Sequence, residues 1–214
     1  ATGRTTRSGV KSYGGGTAIW AGPLSVANDG KLGNTAGGIT FNGGTLSTST
    51  SFASNRAVTL NAGGTVNTNG NTLTLGGAIT GSGRLTKAGG GTLVLAGTDT
   101  HSGGTTISAG TLQEGNATTA GTLAGDVTDN AALVFANTAA PIAGVISGSG
   151  TVTKSGAGTT VLTGNNTYTG GTTISAGTLQ VGNGGTSGAI AGNGANAGAL
   201  VFNRSRTLRY GRGI

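Results

Sequence analysis

The chain offers few side chains that could carry out chemistry, and several of them lie close together in the sequence. It has one histidine, His101, five acidic residues and no cysteine in 214 residues. His101 follows Asp99 by two positions in the segment TDTHSGG, so an imidazole base assisted by a carboxylate is the first chemistry to consider. Asp126 and Asp129 are the nearest pair of carboxyls, and two carboxyls on one face are what glycoside hydrolysis requires.

A repeat in the sequence tests these candidates. Residues 81–115 and 148–182 are identical at 24 of 35 positions, at a fixed offset of 67, and a residue whose role recurs in each unit should reappear at that offset. None of the candidates does: Asp99 becomes Asn166, His101 becomes Tyr168, Glu114 becomes Val181, Asp126 becomes Asn193 and Asp129 becomes Asn196. We therefore place His101 on a surface loop and the two aspartates in solvated turns. We assign no catalytic, cofactor-binding or metal residue, and we expect no enzymatic activity and no cofactor.

Two further patterns have structural interpretations. Lys87 and Lys154 do recur at the offset, each after a short strand, and we expect exposed strand ends there. Thr-x-Thr pairs that begin at Thr72 and Thr151 resemble ice-binding arrays, but Arg84 stands 67 positions before Thr151. We therefore expect that no threonine array propagates.

Composition and charge exclude several classes of protein. Glycine accounts for 47 residues, charged residues for 8% and hydrophobic residues for 34%, which fits neither a disordered chain nor collagen. No apolar run is long enough for a membrane-spanning helix, and we see no signal peptide, so an export signal is removed or lies outside this segment. The net charge of +7 comes from the two ends, and residues 12–203 are neutral, which argues against a nucleic-acid partner. The basic residues of the ends are Arg4, Arg7, Lys11, Arg204, Arg206, Arg209 and Arg212.

Short runs rich in β-branched residues and bounded by glycine predict strands, for example 92–97 and 105–110. A sandwich or a propeller fits the 67-residue period poorly. We predict an all-β fold, a right-handed parallel β-helix (solenoid) of about ten coils, in which the 67-residue unit makes about three coils. Residues 67 apart should then lie on the same face. Phe135 and Phe202, together with Phe41, should point inward and stack between coils.

The repeat also divides the chain. We expect an N-terminal basic segment over residues 1–24, either a cap or a cut edge, followed by looser β-helix coils over 25–80. Two whole repeat units follow, at 81–147 and at 148–214, and the second ends in a basic edge.

The segment GSGTVTKSGAGTTVLTGNNTYTGGTTISAGTLQVG, residues 148–182, resembles the autotransporter-associated β-strand repeat of bacterial passenger domains. Residues 81–115 resemble it as well, and flanking segments extend the likeness over most of residues 25–204. The resemblance implies a β-helix stalk that is exported through an outer-membrane barrel and is then displayed or released. This chain departs from the full architecture because it contains no barrel segment.

The leading interpretation is a structural stalk or surface-displayed passenger segment, adhesin-like or self-associating, at the bacterial cell surface or secreted. The alternatives are a spacer that carries an enzymatic domain outside this segment, or a β-helix enzyme that acts on polysaccharides. We expect host-surface or cell–cell contacts, end-to-end self-association through unpaired strand edges, no nucleic-acid partner and no direct insertion into a membrane.

Overall fold

A computed structural model describes residues 5–6, 14–137, 141–191 and 194–205. The described chain is a parallel β-solenoid of about nine coils with almost no helix. Every strand pairing in this part of the chain is parallel, and each joins strands of successive coils. The predicted all-β parallel solenoid is therefore confirmed, with about nine coils where the sequence predicted about ten.

The strands are numbered in chain order and form four sheets. The eight-stranded sheet contains β1 (Thr5–Thr6), β3 (Pro23–Val26), β5 (Thr45–Thr48), β8 (Gly64–Asn67), β11 (Leu85–Ala88), β13 (Thr105–Ile107), β15 (Val127–Asp129) and β17 (Ile146–Ser147). The four-stranded sheet contains β2 (Thr17–Ile19), β4 (Ile39–Phe41), β7 (Val58–Leu60) and β10 (Ile79–Gly81). The seven-stranded sheet contains β6 (Phe52–Ser54), β9 (Thr72–Leu75), β12 (Thr92–Leu95), β14 (Thr111–Glu114), β16 (Ala132–Phe135), β18 (Thr151–Lys154) and β20 (Thr172–Ile174). The three-stranded sheet contains β19 (Thr159–Leu162), β21 (Thr178–Val181) and β22 (Ala199–Phe202), and a 3-10 helix spans Asp29–Leu32.

Alternation along each short strand builds the interior. Successive side chains point to opposite faces of a strand, so in β12 Leu93 and Leu95 are buried while Thr92 is partly exposed. Register then stacks equivalent residues of neighbouring coils into columns. One column of the seven-stranded sheet is apolar and buried through five coils: Leu73, Leu93, Leu112, Leu133 and Val152. Each coil thus contributes one member to a continuous core.

The coil is shorter than the sequence repeat implied. Partners in register are 20 residues apart at Thr45 and Thr65, and the other pairs span 19 to 22 residues, so a period of 67 residues is about 3.3 coils. Leu85 lies in the eight-stranded sheet, whereas its equivalent, Val152, lies in the seven-stranded sheet. The prediction that residues 67 apart share a face is wrong, because each copy of the repeat begins one face further round the solenoid.

The glycine that opens each repeat unit is required by its surroundings. Gly81 and Gly148 have φ of 108° and 103°, a region that other residues rarely adopt. A Cβ at Gly81 would also lie 2.2 Å from the carbonyl oxygen of Leu60, and one at Gly148 would lie 2.2 Å from that of Asp129. These two positions therefore hold glycine because the chain must turn there against the coil below.

The phenylalanines divide into two groups. Phe41 and Phe135 are buried, at 1% and 0% exposure, as predicted. Phe202 lies in register with the buried Val181, on the inward side of its strand, but it is 37% exposed and is not enclosed as Phe135 is. It lies on β22, an edge strand of the three-stranded sheet, where it pairs with Val181. Phe135 instead lies between Glu114 and Lys154 of the two adjacent coils, and that enclosure accounts for the difference.

Candidate functional site

The charged residues of the solenoid body lie mostly inside it. Residues 12–203 contain ten charged side chains, and six of them are buried: Arg56, Lys87, Asp99, Glu114, Asp129 and Lys154. His101 is buried as well. Among the described residues, every histidine, aspartate and glutamate apart from Asp29 and the exposed Asp126 is therefore shielded from solvent.

His101 and Asp99 form an ion pair in this interior. His101 Nδ1 contacts Asp99 Oδ1, and Nε2 lies 3.0 Å from the carbonyl oxygen of Gly104, so both ring nitrogens face acceptors. Burial lowers the pKa of His101, but the hydrogen bond and charge of Asp99 and the bond to Gly104 together raise it. The prediction of a surface loop is wrong, because the corner between β12 and β13 directs this ring into the solenoid. The ring is 0% exposed and cannot reach a substrate.

The second repeat holds neutral side chains at these positions, and they make different contacts. Tyr168 is buried at the position equivalent to His101, and its hydroxyl contacts Thr172 Oγ1. Asn166 replaces Asp99, accepts a hydrogen bond from Ile146 N at 2.8 Å and donates one to the carbonyl of Ala189 at 2.7 Å. Asn166 therefore links neighbouring coils, whereas Asp99 and His101 bond one another within a single corner.

Glu114 is the least compensated group in the interior. It lies in register between Leu95 and Phe135, and neither of its carboxyl oxygens has a hydrogen-bond partner. Burial, and to a lesser degree the charge of Asp99, raise the pKa of Glu114 to about 9, although Lys154 opposes the shift. Glu114 is accordingly protonated and neutral at pH 7.

The two recurring lysines are buried, so their predicted exposure is wrong. Lys87 Nζ donates hydrogen bonds to the carbonyls of Ala88, Gly89 and Ala109, at 2.9, 2.7 and 3.0 Å. Ala109 belongs to the following coil, so the ammonium ties two coils together. Lys154 Nζ donates to Gly156 O. Burial lowers the pKa of Lys87 to about 8 and also lowers that of Lys154, which the charge of Glu114 partly counteracts.

Asp126 and Asp129 do not form an acidic pair. Asp126 is exposed and accepts a hydrogen bond from Val145 N at 2.8 Å. Asp129 is buried, which corrects the prediction of a solvated turn for this residue. Burial raises the pKa of Asp129 to about 6, and the hydrogen bond from Ala131 N, 3.0 Å long, opposes the shift. The carboxyl of Asp126 faces solvent and that of Asp129 faces the core, so the two cannot act together on one substrate.

Arg56 is a buried residue that sequence reasoning missed. Its Nε and Nη2 donate to the two carboxyl oxygens of Asp29 at 2.7 and 3.1 Å. Its remaining hydrogen bonds reach main-chain carbonyls, including those of Gly33 and Gly37, both at 2.8 Å. The guanidinium thereby holds residues 27–38 against the first coils. These residues connect β3 to β4 and are called the 27–38 excursion below. The partners of Arg56 lie 19 to 27 residues away, so no local pattern signals the role.

The outer surface is nearly uncharged and carries ladders of hydroxyl groups. On the eight-stranded sheet one outward column reads Thr45, Thr65, Thr86, Thr106, Thr128 and Ser147. A shorter column on the four-stranded sheet reads Thr40, Thr59 and Thr80. These ladders are one threonine wide and lie on other strands than the Thr-x-Thr pairs. The pair at Thr72 does not propagate as an array, as expected, because the column through Thr74 continues with Val94 and Gln113. In the described residues only Arg84 and Asp126 are charged and fully exposed.

The described residues contain no group of three His, Asp or Glu side chains placed to hold a metal ion. Nor does this part of the chain contain a helix long and apolar enough to cross a membrane. Of the basic residues at the two ends, only Arg204 lies among the described residues, where Nη2 contacts Thr186 O. The expectation of basic end clusters otherwise lies outside them.

Comparison with known proteins explains the repeat. Residues 85–113 and 152–181 match the family described as the passenger-associated-transport-repeat. Both segments are copies of this repeat. They lie within the two copies of the internal repeat, at 81–115 and 148–182. The resemblance to the autotransporter-associated repeat is therefore confirmed.

A curated relative extends the likeness beyond the two segments. The protein named adhesin BmaC autotransporter, from Brucella suis biovar 1 (strain 1330), is 48% identical to this chain over 149 residues. The match covers 68% of this chain and 4% of that protein, so the chain corresponds to a small part of its relative. No solved structure matches this chain.

Proposed function

We propose that this chain is part of the surface-displayed passenger of a bacterial autotransporter and forms a section of an adhesin-like stalk. The observation that carries the proposal is the presence of two passenger-associated-transport repeats within one uninterrupted run of parallel coils. A curated relative that is 48% identical over the matched region is named an adhesin autotransporter, which supports the same role. The cell surface, or release from it, is the corresponding location.

The geometry suits a stalk because a solenoid lengthens without changing its cross-section. Each coil adds about 4.8 Å of rise, and contacts are made only with neighbouring coils. The proposed contacts with a host surface or another cell would then be made by faces with few charges, such as the one that carries Thr86 and Thr106 beside the exposed Arg84. Binding through such faces depends on hydrogen bonds and shape and responds little to salt.

We further propose that the segment has no catalytic activity of its own. Asp99 and His101 pair with one another in the interior, at 3% and 0% exposure, and their equivalents in the second repeat are Asn166 and Tyr168. The double variant Asp99→Asn, His101→Tyr should therefore behave like the original chain toward polysaccharide, peptide and ester substrates. Turnover by the original chain that is lost in the double variant would overturn this proposal.

The display proposal is tested by expressing the chain between an export signal and an autotransporter barrel in a bacterium. An epitope inserted at the exposed Thr118 reports whether the solenoid reaches the surface. We expect the epitope to be labelled by antibody on intact cells and removed by added protease. We also expect cells that display the chain to attach to surfaces or to each other more than cells that display the barrel alone.

Two controls make the outcome decisive. A Phe135→Asp variant disrupts the core, so the barrel should be inserted while its passenger becomes sensitive to protease. Arg84→Ala changes an exposed side chain and should leave display unchanged. An epitope that stays inaccessible on intact cells, although the barrel is inserted normally, would contradict display. Normal display without any gain in attachment would contradict the adhesin-like role alone.

A further inference from the structure

The two repeat units differ systematically in their interior. Three positions of the first unit hold buried ionisable side chains, and the same positions of the second unit hold buried neutral ones. The pairs are Asp99 and Asn166, His101 and Tyr168, and Glu114 and Val181. At these three positions the second unit is thus a neutral copy of the first.

The contrast is sharpest at Glu114. Its column places it between Leu95 and Phe135, and Val181 lies in the same way between Leu162 and Phe202. Valine satisfies that apolar setting, whereas the carboxyl oxygens of Glu114 have no hydrogen-bond partner. A buried carboxyl without a partner tolerates only its neutral form, because ionisation would place an unsolvated charge in the core.

The charged groups that face Glu114 do not provide that partner. The adjacent strands β12 and β16 present only uncharged side chains. Asp99, on the corner after β12, is itself paired with His101, and its Oδ2 also lacks a partner. Lys154 lies two strands further along the sheet, and its ammonium bonds Gly156 O. An ionised Glu114 would therefore be stabilised only in an opened coil, where water reaches it.

We propose that the coils around β14 form a pH-labile section of the rod, which opens at mildly alkaline pH while the coils on either side stay closed. Solenoid stability is a sum of local and nearest-neighbour contributions, so the loss of one interface need not unfold the rest. In the preceding coils the positions in register with Glu114 are occupied by the apolar Leu75 and Leu95. In the second repeat the equivalent position is occupied by Val181. Neither section therefore contains a buried carboxyl at this place.

The direction of the pH dependence follows from the titrating groups. The pKa of Glu114 is raised from 4.5 to about 9 when the coil is closed, so the closed state binds the extra proton and loses stability as pH rises through this interval. The raised pKa of His101 acts in the same direction above pH 6.5. Asp129 titrates at about 6, Lys87 opposes the trend above about 8, and the lowered pKa of Lys154 opposes it as well. Glu114 and His101 are the groups that make the closed coil less stable as pH rises from 6.5 to 8.

Single cysteines test the proposal, because the chain has none of its own. Leu112→Cys reports on β14, Leu73→Cys on the preceding apolar coils, and Leu179→Cys on the position equivalent to Leu112 in the second repeat. All three leucines are buried at 0% exposure. The rate of reaction with a thiol reagent measures how often each coil opens. Dividing one rate by another cancels the ionisation of the thiol itself.

Glu114 alone should raise the ratio of the Leu112→Cys rate to the Leu73→Cys rate about 30-fold between pH 6.5 and 8, since one proton gives about tenfold per pH unit. His101 should add to that rise. The ratio of Leu179→Cys to Leu73→Cys should stay constant. Adding Glu114→Val, the residue of the second repeat, should remove the part of the rise that Glu114 contributes. Glu114→Gln serves the same purpose if the valine variant folds poorly. A constant Leu112→Cys ratio, or a rise that neither substitution reduces, would overturn the proposal.

Discussion

Replacement of Arg56 by alanine tests how the first coils are held together. The guanidinium is buried and uses its five N–H groups on Asp29 and on main-chain carbonyls of the 27–38 excursion. Removing one partner of a buried ion pair costs about 3–5 kcal/mol. The Asp29 side chain is 22% exposed, so water can partly solvate it after the change. We therefore expect Arg56→Ala to lower the free energy of unfolding by about 3 kcal/mol.

The assay is urea denaturation followed by far-UV circular dichroism, together with limited proteolysis of residues 27–38, because a solenoid can open locally. Arg84→Ala is the matched control: its guanidinium is exposed and donates one hydrogen bond to Thr106 Oγ1 at 3.1 Å. Its effect should stay within about 0.5 kcal/mol. Equal effects for the two variants, with no new cleavage in the excursion of Arg56→Ala, would refute the assigned role.

Three other outcomes follow from the burial pattern. Phe135→Ala should lower the free energy of unfolding by about 3–5 kcal/mol in urea denaturation, and Phe202→Ala should lower it by less than about 1 kcal/mol. The reason is that only the ring of Phe135 is enclosed by both neighbouring coils, and equal losses would contradict this difference in burial. Between pH 9 and 10.5, above the range in which Glu114 titrates, the chain should gain stability because the pKa of Lys87 is lowered to about 8, and Lys87→Met should lack that contribution. An identical pH profile for the two chains would contradict the buried ammonium. Thermal unfolding should shift by only a few degrees between 0.05 and 0.5 M salt, because the described part of the solenoid carries few exposed charges that salt could screen.

The sequence predicted the strands and the core because short-range alternation determines both. Leu93 and Leu95 of β12 are buried, and Phe135 follows the same pattern from Leu133. The alternation also contained the signal for the buried charges. Lys87 follows Leu85 by two positions, and Glu114 follows Leu112 by two, so each shares a face with an inward leucine. Charged side chains are usually exposed, so the alternation alone did not predict that these two would be buried.

Other features depend on the length of the coil, which the 67-residue repeat conceals. A repeat of about 3.3 coils places equivalent residues on different faces, so comparison at an offset of 67 could not reveal the ladder that links Thr65, Thr86 and Thr106. Those residues are 20 or 21 positions apart, and their neighbours differ in type. Arg56 lacked a local signal for a related reason, since its partners belong to an excursion that only the fold brings near.

The most direct test of the coil geometry is disulfide formation between neighbouring coils. Thr86 and Thr106 are register partners on adjacent parallel strands, so their Cα atoms are about 4.8 Å apart, within the range that a disulfide spans. The pair Thr86→Cys, Thr106→Cys should cross-link within one chain under mild oxidation. In the control pair Thr86→Cys, Ser108→Cys, the second cysteine is shifted two residues along β13 and its strand end, to a Cα separation of about 8 Å, which a disulfide does not bridge without backbone movement. Cross-linking of the first pair alone is the predicted result, and cross-linking of the control pair in preference to it would contradict a solenoid with coils of about 20 residues.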